Sequence, residues 1–378
     1  MNILHVIPDL ALDSGGPVTA VLGMAEAQSK MGHSVVIVAT RYGNSAPPTV
    51  EYAQVYLYPC EFSKWRWSSA LRNNLYSHIG DADLVHLHTL WSFPVLAAAS
   101  VCAELGKPYI LRPCGMLDPW SLSQKSWLKK FYLRLFQKKI ISPAAAIHFT
   151  SESEQLNSAP YTKGVHDFVC PIGITAESKG NHQALKANLM ILFLSRLHYK
   201  KKPEVVIQAF GQIAQTNPNL RLIMAGSGKE SYVRKLQRMV QKLGLNDQVS
   251  FPGLLTGSWK EEVLSGADLF VLPSLHENFG ISVVEAMAAG CPVVISDRIN
   301  IAGEISRAQA GIVCLPETNN VARAMAKLIE SPKLRKEMGE NGKKLFHDQY
   351  ESSIVMKSLL GEYDRLLDLD RKAEKVTV

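Results

Sequence analysis

The chain has 378 residues, more than the roughly 250 to 300 at which a single hydrophobic core stops growing, so two domains are expected. With 47% apolar and 20% charged residues, its composition excludes a disordered or fibrous protein. A net charge of +7 favours an anionic partner without choosing among nucleic acid, phospholipid headgroups and a phosphorylated small molecule.

Met1 to Val6 has neither the basic stretch nor the long apolar run of a signal peptide, and no run of about 18 apolar residues follows, so a cytoplasmic protein that does not span a membrane is expected. Cys60, Cys102, Cys114, Cys170, Cys291 and Cys314 form no C-x-x-C pair, which reads as reduced thiols rather than a zinc site or a disulfide framework.

Short apolar runs alternate with amphipathic stretches from the start: Ile3 to Ile7, then Val18 to Met31; Val35 to Val38; Leu84 to Leu87, then Phe93 to Leu105; Ile110 to Leu111. Such continuous apolar strands separated by helices predict a parallel, doubly wound sheet. A polar segment, Thr175 to Asn188, reads as a linker, after which the pattern restarts at Met190 to Leu194, Leu220 to Met224, Val249 to Phe251, Leu269 to Leu272 and Val293 to Ile295. Two Rossmann-like α/β domains are therefore predicted, over 1–175 and 189–350. A final helix, 351–369, with Ile354, Leu359, Leu366 and Leu367 among its apolar positions, is expected to pack back on the first. Tandem domains of this kind bind ligands at the carboxyl ends of their strands, in a cleft between the two.

Two motifs fall at such strand ends. Glu277-Asn278-Phe279-Gly280-Ile281-Ser282-Val283-Val284-Glu285 follows the strand Leu269 to Leu272 and opens a helix that runs through Ala289. Free amides around Gly280 to Val283 suit a diphosphate, and the two carboxylates suit sugar hydroxyls. Standing alone, a glutamate pair is more often a solvated helix face. The second motif, Ser195-Arg196-Leu197-His198-Tyr199-Lys200-Lys201, brings cations to the end of the strand Met190 to Leu194. Departure of a nucleoside diphosphate requires its new charge to be neutralised, and Arg196 with Lys201 can do so without a metal.

Together with the Ala225-Gly226-Ser227-Gly228 turn and the Gly253 segment, these motifs stand in the order and approximate spacing of the retaining glycosyltransferases of family 4, which the chain resembles over nearly its whole length. The resemblance implies the GT-B fold and transfer of a sugar from a UDP- or GDP-sugar to a hydroxyl of a glycan or lipid-linked acceptor, in surface or exopolysaccharide assembly. It implies that Glu285 binds the donor ribose, Glu277 the sugar hydroxyls, with Asn278, Phe279 and Gly280 beside them, that Arg196 and Lys201 hold the diphosphate, and that Leu254 lies near the base. No cofactor or metal is expected. The family usually has glycine after the lysine and Asn-Gly before the linker, whereas this chain has Lys202, and Ile172 before Gly173, so Lys200 and Lys201 both stand for that register. Gly226 and Gly228 also read as a plain strand-to-helix turn.

In the first domain, Asp13-Ser14-Gly15-Gly16-Pro17 opens a helix, and the resemblance places Gly16 against the donor diphosphate; a simple tight turn is the alternative. His86 and His88 end their strand on one face and, with Thr89, Leu90 and Trp91, form a wall suited to an acceptor sugar, with His88 a candidate catalytic group. Strand-end histidines are also common structural residues. In Arg112-Pro113-Cys114-Gly115-Met116-Leu117, Cys114 stands where some relatives have a histidine, and Arg112 suits an anionic acceptor. Residues 125–139 interleave six Lys and Arg with Trp127, Leu128, Phe131, Leu135 and Phe136, which reads either as peripheral contact with an anionic membrane or as a solvated basic face over a buried stripe.

Asp81-Ala82-Asp83 imitates a metal-binding D-x-D but precedes its strand, at the wrong edge. A sugar-nucleotide hydrolase or epimerase would use the same donor site without an acceptor. A nucleic-acid binder is suggested by charge alone, without motifs for base stacking or groove contact, and nucleic acid is not expected as a partner.

Overall fold

The computed structural model describes the chain except residues 12–13, 43–49, 125–131, 134–136, 177–187 and 377–378. The linker expected at 175–188 and the basic segment 125–139 therefore lie mostly outside the described residues. Two compact units are formed, one from Met1–Gly173 with Ser352–Val378, the other from Ile174–Glu351.

In the first unit, β1 (Asn2–Asp9), β2 (Ser34–Arg41), β3 (Gln54–Pro59), β4 (Leu84–His88), β5 (Tyr109–Arg112), β6 (Ala146–Phe149) and β7 (Asp167–Val169) form one sheet in the order β3-β2-β1-β4-β5-β6-β7. Every pairing is parallel. The second unit carries β8 (Leu189–Leu194), β9 (Leu220–Ala225), β10 (Val249–Gly253), β11 (Leu269–Leu272), β12 (Val293–Ser296) and β13 (Gly311–Cys314), in the order β10-β9-β8-β11-β12-β13, again all parallel. Both are doubly wound Rossmann-like sheets, and the chain has the GT-B fold.

Central strands covered on both faces need no polar alternation, which is why β4, β11 and β12 are buried at every residue. The helix Phe93–Leu105 follows the same logic. Eight of its thirteen residues are buried, and its Val95, Ala98, Ala99 and Cys102 join the core with Leu71, Leu75 and Ile79 of the helix Ser69–Gly80.

The strand order reverses between β1 and β4 in one sheet and between β8 and β11 in the other. A crevice opens at such a point, outside the carboxyl ends of the two strands, because their connections leave to opposite faces. The loops after β8 and β11 are those carrying the two motifs.

The terminal helix, Ser352–Val376, belongs to the first unit and packs on the helix Gly16–Lys30. Its buried seam runs through Val355, Leu359, Tyr363 and Leu366, at helical spacing, whereas Ile354, one of the apolar positions read from the sequence, is 46% exposed. The Tyr363 hydroxyl donates to His86 Nδ1 at 2.6 Å and accepts from Gln28 Nε2 at 3.4 Å. No described helix is long and apolar enough to cross a membrane. Tyr363→Phe leaves two buried polar atoms without this partner and is expected to cost about 1 to 3 kcal/mol, read as a lower midpoint in urea unfolding at unchanged slope.

Candidate active site

In the second unit the site is assembled at the switch point. After β8 the backbone runs alongside the turn that follows β9: Ser195 N donates to Ala225 O at 3.1 Å and Leu197 N to Ser227 O at 2.7 Å. A side chain at Gly226 would collide with the Ser195 carbonyl, and one at Gly228 with Leu197. These glycines therefore let two backbones touch, which fixes the loop bearing Arg196 and Lys201. His198 caps the short turn Tyr199–Lys201, accepting from Lys200 N at 3.3 Å.

In that turn it is Lys201 that meets Glu277. Lys201 is 8% exposed and its ammonium pairs with Glu277 Oε1, while Lys202 takes a left-handed conformation at φ 54°. Glycine adopts that conformation freely and lysine does not, so the position after Lys201 is where the related glycine belongs. Ser274 Oγ donates to the same Glu277 oxygen at 2.9 Å, and Leu275 N donates to Lys200 O at 2.8 Å, tying the loop after β11 to the loop after β8. Burial alone would raise the Glu277 carboxyl, but the charge and hydrogen bond of Lys201, with Lys200 and Ser274, hold it below its ordinary value. It is a carboxylate at neutral pH.

Arg196 is exposed. The positive field around it is registered by His198, lowered first by partial burial and then by Arg196, Lys201, Lys200 and Lys229. Beyond Glu277, Asn278 Oδ1 accepts from Asn300 Nδ2 at 3.4 Å, and Phe279 is buried with its ring edge-on to Tyr350. Gly280, at φ 86°, turns the chain into the helix Ile281–Ala288, whose N-terminus has no side-chain cap. Amides left over at an uncapped helix start attract anions. Glu285, inside that helix, pairs with Lys260 Nζ at 2.7 Å. Leu254 is 62% exposed directly after β10.

Sequence reasoning missed Lys260, Ser274 and Asn300. Lys260 lies on the helix Gly257–Gly266, and nothing in its local pattern announces a partner on another helix. Each motif glutamate thus comes with its own lysine, so the carboxylates repel a phosphate less than the sequence alone implies.

In the first unit, Gly16 is exposed at the start of the helix Gly16–Lys30, which also lacks a side-chain cap. Trp91 is partly buried, edge-on to Tyr132. His86 and His88, expected in a wall suited to an acceptor sugar, are both fully buried. The cause is a ring network closed from above by the terminal helix. His5 Nδ1 meets His88 Nε2 at 2.9 Å, His5 Nε2 meets Gln28 Oε1 at 2.7 Å, His148 Nδ1 meets His86 Nε2 at 3.3 Å, and His148 Nε2 meets the Cys170 carbonyl at 2.7 Å. Arg112 is 1% exposed at the end of β5, so it too is interior rather than superficial. Thr89 and Cys114 hold left-handed backbones at φ 73° and 56° just beyond β4 and β5. Such strain, about 1 to 3 kcal/mol per residue, collects where function constrains a backbone.

Burial, then Arg112, lowers His5 to about 4 against the hydrogen bond to Gln28, and His148 to about 3; burial, then neighbouring rings and Arg112, holds His86 and His88 well below the ordinary value.

Comparison with known proteins covers both units. The family model for glycosyl transferases group 1 matches residues 175–345, and that for the glycosyl transferase 4-like domain matches 15–159. An uncharacterized glycosyltransferase of Methanocaldococcus jannaschii is 25% identical over 382 aligned residues, covering 94% of this chain and 95% of its own. Sucrose-phosphate synthase from Thermosynechococcus elongatus superposes with a TM-score of 0.78 at 18% identity, over 98% of this chain and 100% of the other. HepE of Anabaena, in complex with UDP and glucose, gives 0.77 at 18%, over 97% and 100%.

Lys202→Gly should relieve the left-handed strain and, net of the extra chain entropy of glycine, raise stability by about 0.5 kcal/mol in denaturant titrations. The histidine network gives a second expectation. Its folded rings stay neutral where the unfolded chain takes up protons, so stability is complete above about pH 6.5 and is lost as pH falls. From about pH 7 to 5.5 each ring should cost about 1.25 kcal/mol, about 5 for the four, measured by urea unfolding at both pH values.

Proposed function

Because this chain belongs to the glycosyltransferases of group 1, and is a transferase enzyme of that class, we propose that it moves a sugar from a nucleotide-diphosphate sugar, held by the second unit, to an acceptor hydroxyl held by the first. The observation carrying this reading is the Lys201–Glu277 pair beside the uncapped start of the helix Ile281–Ala288, at the switch point of the sheet.

The helix amides and Arg196 take the diphosphate, with Lys201 shared between phosphate and Glu277. Glu277, kept ionised, accepts hydrogen bonds from sugar hydroxyls, and Glu285 accepts from the ribose. Asn278, Phe279 and Gly280 line the approach, Leu254 offers an apolar face to the base, and Gly16 meets the diphosphate from its own unit. Positioned cations stabilise the leaving diphosphate, so the reaction needs no metal or cofactor. Attack on the face the diphosphate leaves retains the anomeric configuration, with the departing phosphate oxygen taking the acceptor proton. The UDP complex of HepE supports a uridine donor. A glycan or lipid-linked acceptor in surface or exopolysaccharide assembly, reached from the cytoplasmic side by peripheral contact of 125–139 with an anionic membrane, completes the reading.

Calorimetry with UDP and GDP, with and without chelator, tests the donor site. Chelator-insensitive binding lost in Glu285→Ala is expected, and Arg196→Ala should lower kcat by about 100- to 1000-fold on a donor that binds. Near-normal turnover by Arg196→Ala would remove the leaving-group role.

A further inference from the structure

The first unit buries a guanidinium with two nitrogens left unpartnered. The Nε and Nη1 of Arg112 have no hydrogen-bond partner, and the buried carboxylate of Glu154 accepts from Gly115 N and from Thr150 N and Oγ1. An isolated buried guanidinium is costly, and one that persists is usually matched by an anion.

The sheet register shows what surrounds it. Arg112 stands opposite His88 on β4, and one step beyond the Leu111↔Ile147 pair it stands opposite His148 on β6. Residues opposite each other on parallel strands share a face, so the guanidinium lies between two imidazoles.

Their tautomers follow from the network. Gln28 Oε1 only accepts, so His5 donates from Nε2, and its Nδ1 then accepts from His88 Nε2. That leaves His88 Nδ1 as a bare lone pair, and it is buried without a partner. On the other side the Cys170 carbonyl accepts from His148 Nε2, His148 Nδ1 accepts from His86 Nε2, and His86 Nδ1 accepts from Tyr363. Every ring is neutral, so none cancels or adds to the charge of Arg112.

His5, His86 and His88 also bring ring nitrogens within 4.8 Å of one another, a spacing metal ligands adopt. A divalent cation there would have to break the His5–His88 bond and sit beside an unneutralised guanidinium. An anion meets the opposite conditions.

We propose that Arg112 and His88 form the receptor for an anionic group on the acceptor. Arg112 Nε–H and Nη1–H donate to phosphoryl or carboxylate oxygens, and His88 Nδ1 accepts from a hydroxyl of the same molecule. Acceptors bearing such a group are then the substrate class, an assignment that rests on the glycosyltransferase reading above. All three nitrogens are shielded from solvent, so the group enters past the turns at Thr89 and Cys114, whose left-handed backbones have strain to release on moving.

The test uses the full chain with 15N-labelled arginine. The Nε–H resonance of Arg112 is assigned by its loss in Arg112→Met or, should that variant not fold, in Arg112→Lys. With UDP saturating, inorganic phosphate and acetate are titrated separately. At least one anion should shift this resonance saturably, and the stronger names the phosphoryl or carboxylate source. The assigning variant should bind that anion about tenfold or more weakly by calorimetry. If neither anion moves the resonance, or the variant binds as well as the parent, the receptor is refuted. UDP binding is read in the same samples: its failure would count against the donor site alone, and an anion shift would still stand for Arg112.

Discussion

The ion pair between Lys201 and Glu277 joins the two loops that leave the switch point of the second sheet, and the rest of that site is arranged around it. Either partner buried alone would be costly, by about 3 to 5 kcal/mol, so each loop is held by the charge on the other. The carbonyl of Lys200, which accepts from Leu275 N, and the hydroxyl of Ser274 reinforce the same junction. The glycines at 226 and 228 serve it from a distance, by letting the turn after β9 press against the backbone of Ser195 and Leu197. Gly280 then aims a helix start at the space beside it.

The two units treat positive charge in opposite ways. In the second, each motif carboxylate has a lysine, and Arg196 is exposed. In the first, a guanidinium is buried among neutral rings. The interior of a parallel sheet is normally filled by Val, Ile and Leu, yet here His5, His86, Arg112 and His148 occupy one face, and the terminal helix supplies the hydroxyl that completes their hydrogen bonding.

The fold was legible because β8, β11 and β12 are continuous apolar runs, a pattern that only a sheet covered on both faces produces. β3 and β7 were not: Gln54–Pro59 mixes polar and aromatic residues at a sheet edge, and Asp167–Val169 has only three residues. The donor motifs were legible because Glu277 and Glu285 lie on one loop and the helix it opens, so their spacing carries structural meaning. Lys260 was not, since its partnership depends on how two helices pack. His86 and His88 fall between these cases. Alternation placed them on one face, but whether that face meets solvent is decided by Tyr363, 277 residues from His86, and no local pattern carries that information.

The chain leaves the first unit at Gly173 and returns to it at Ser352. The second unit is one uninterrupted segment, while the first is made from the two segments that flank it. As the chain emerges from the ribosome, the second unit can close as soon as its own residues are out. The N-terminal sheet keeps its histidine face uncovered until the helix bearing Tyr363 has been made. A chain that stops before Tyr363 leaves His86 and Gln28 without the hydroxyl that joins them.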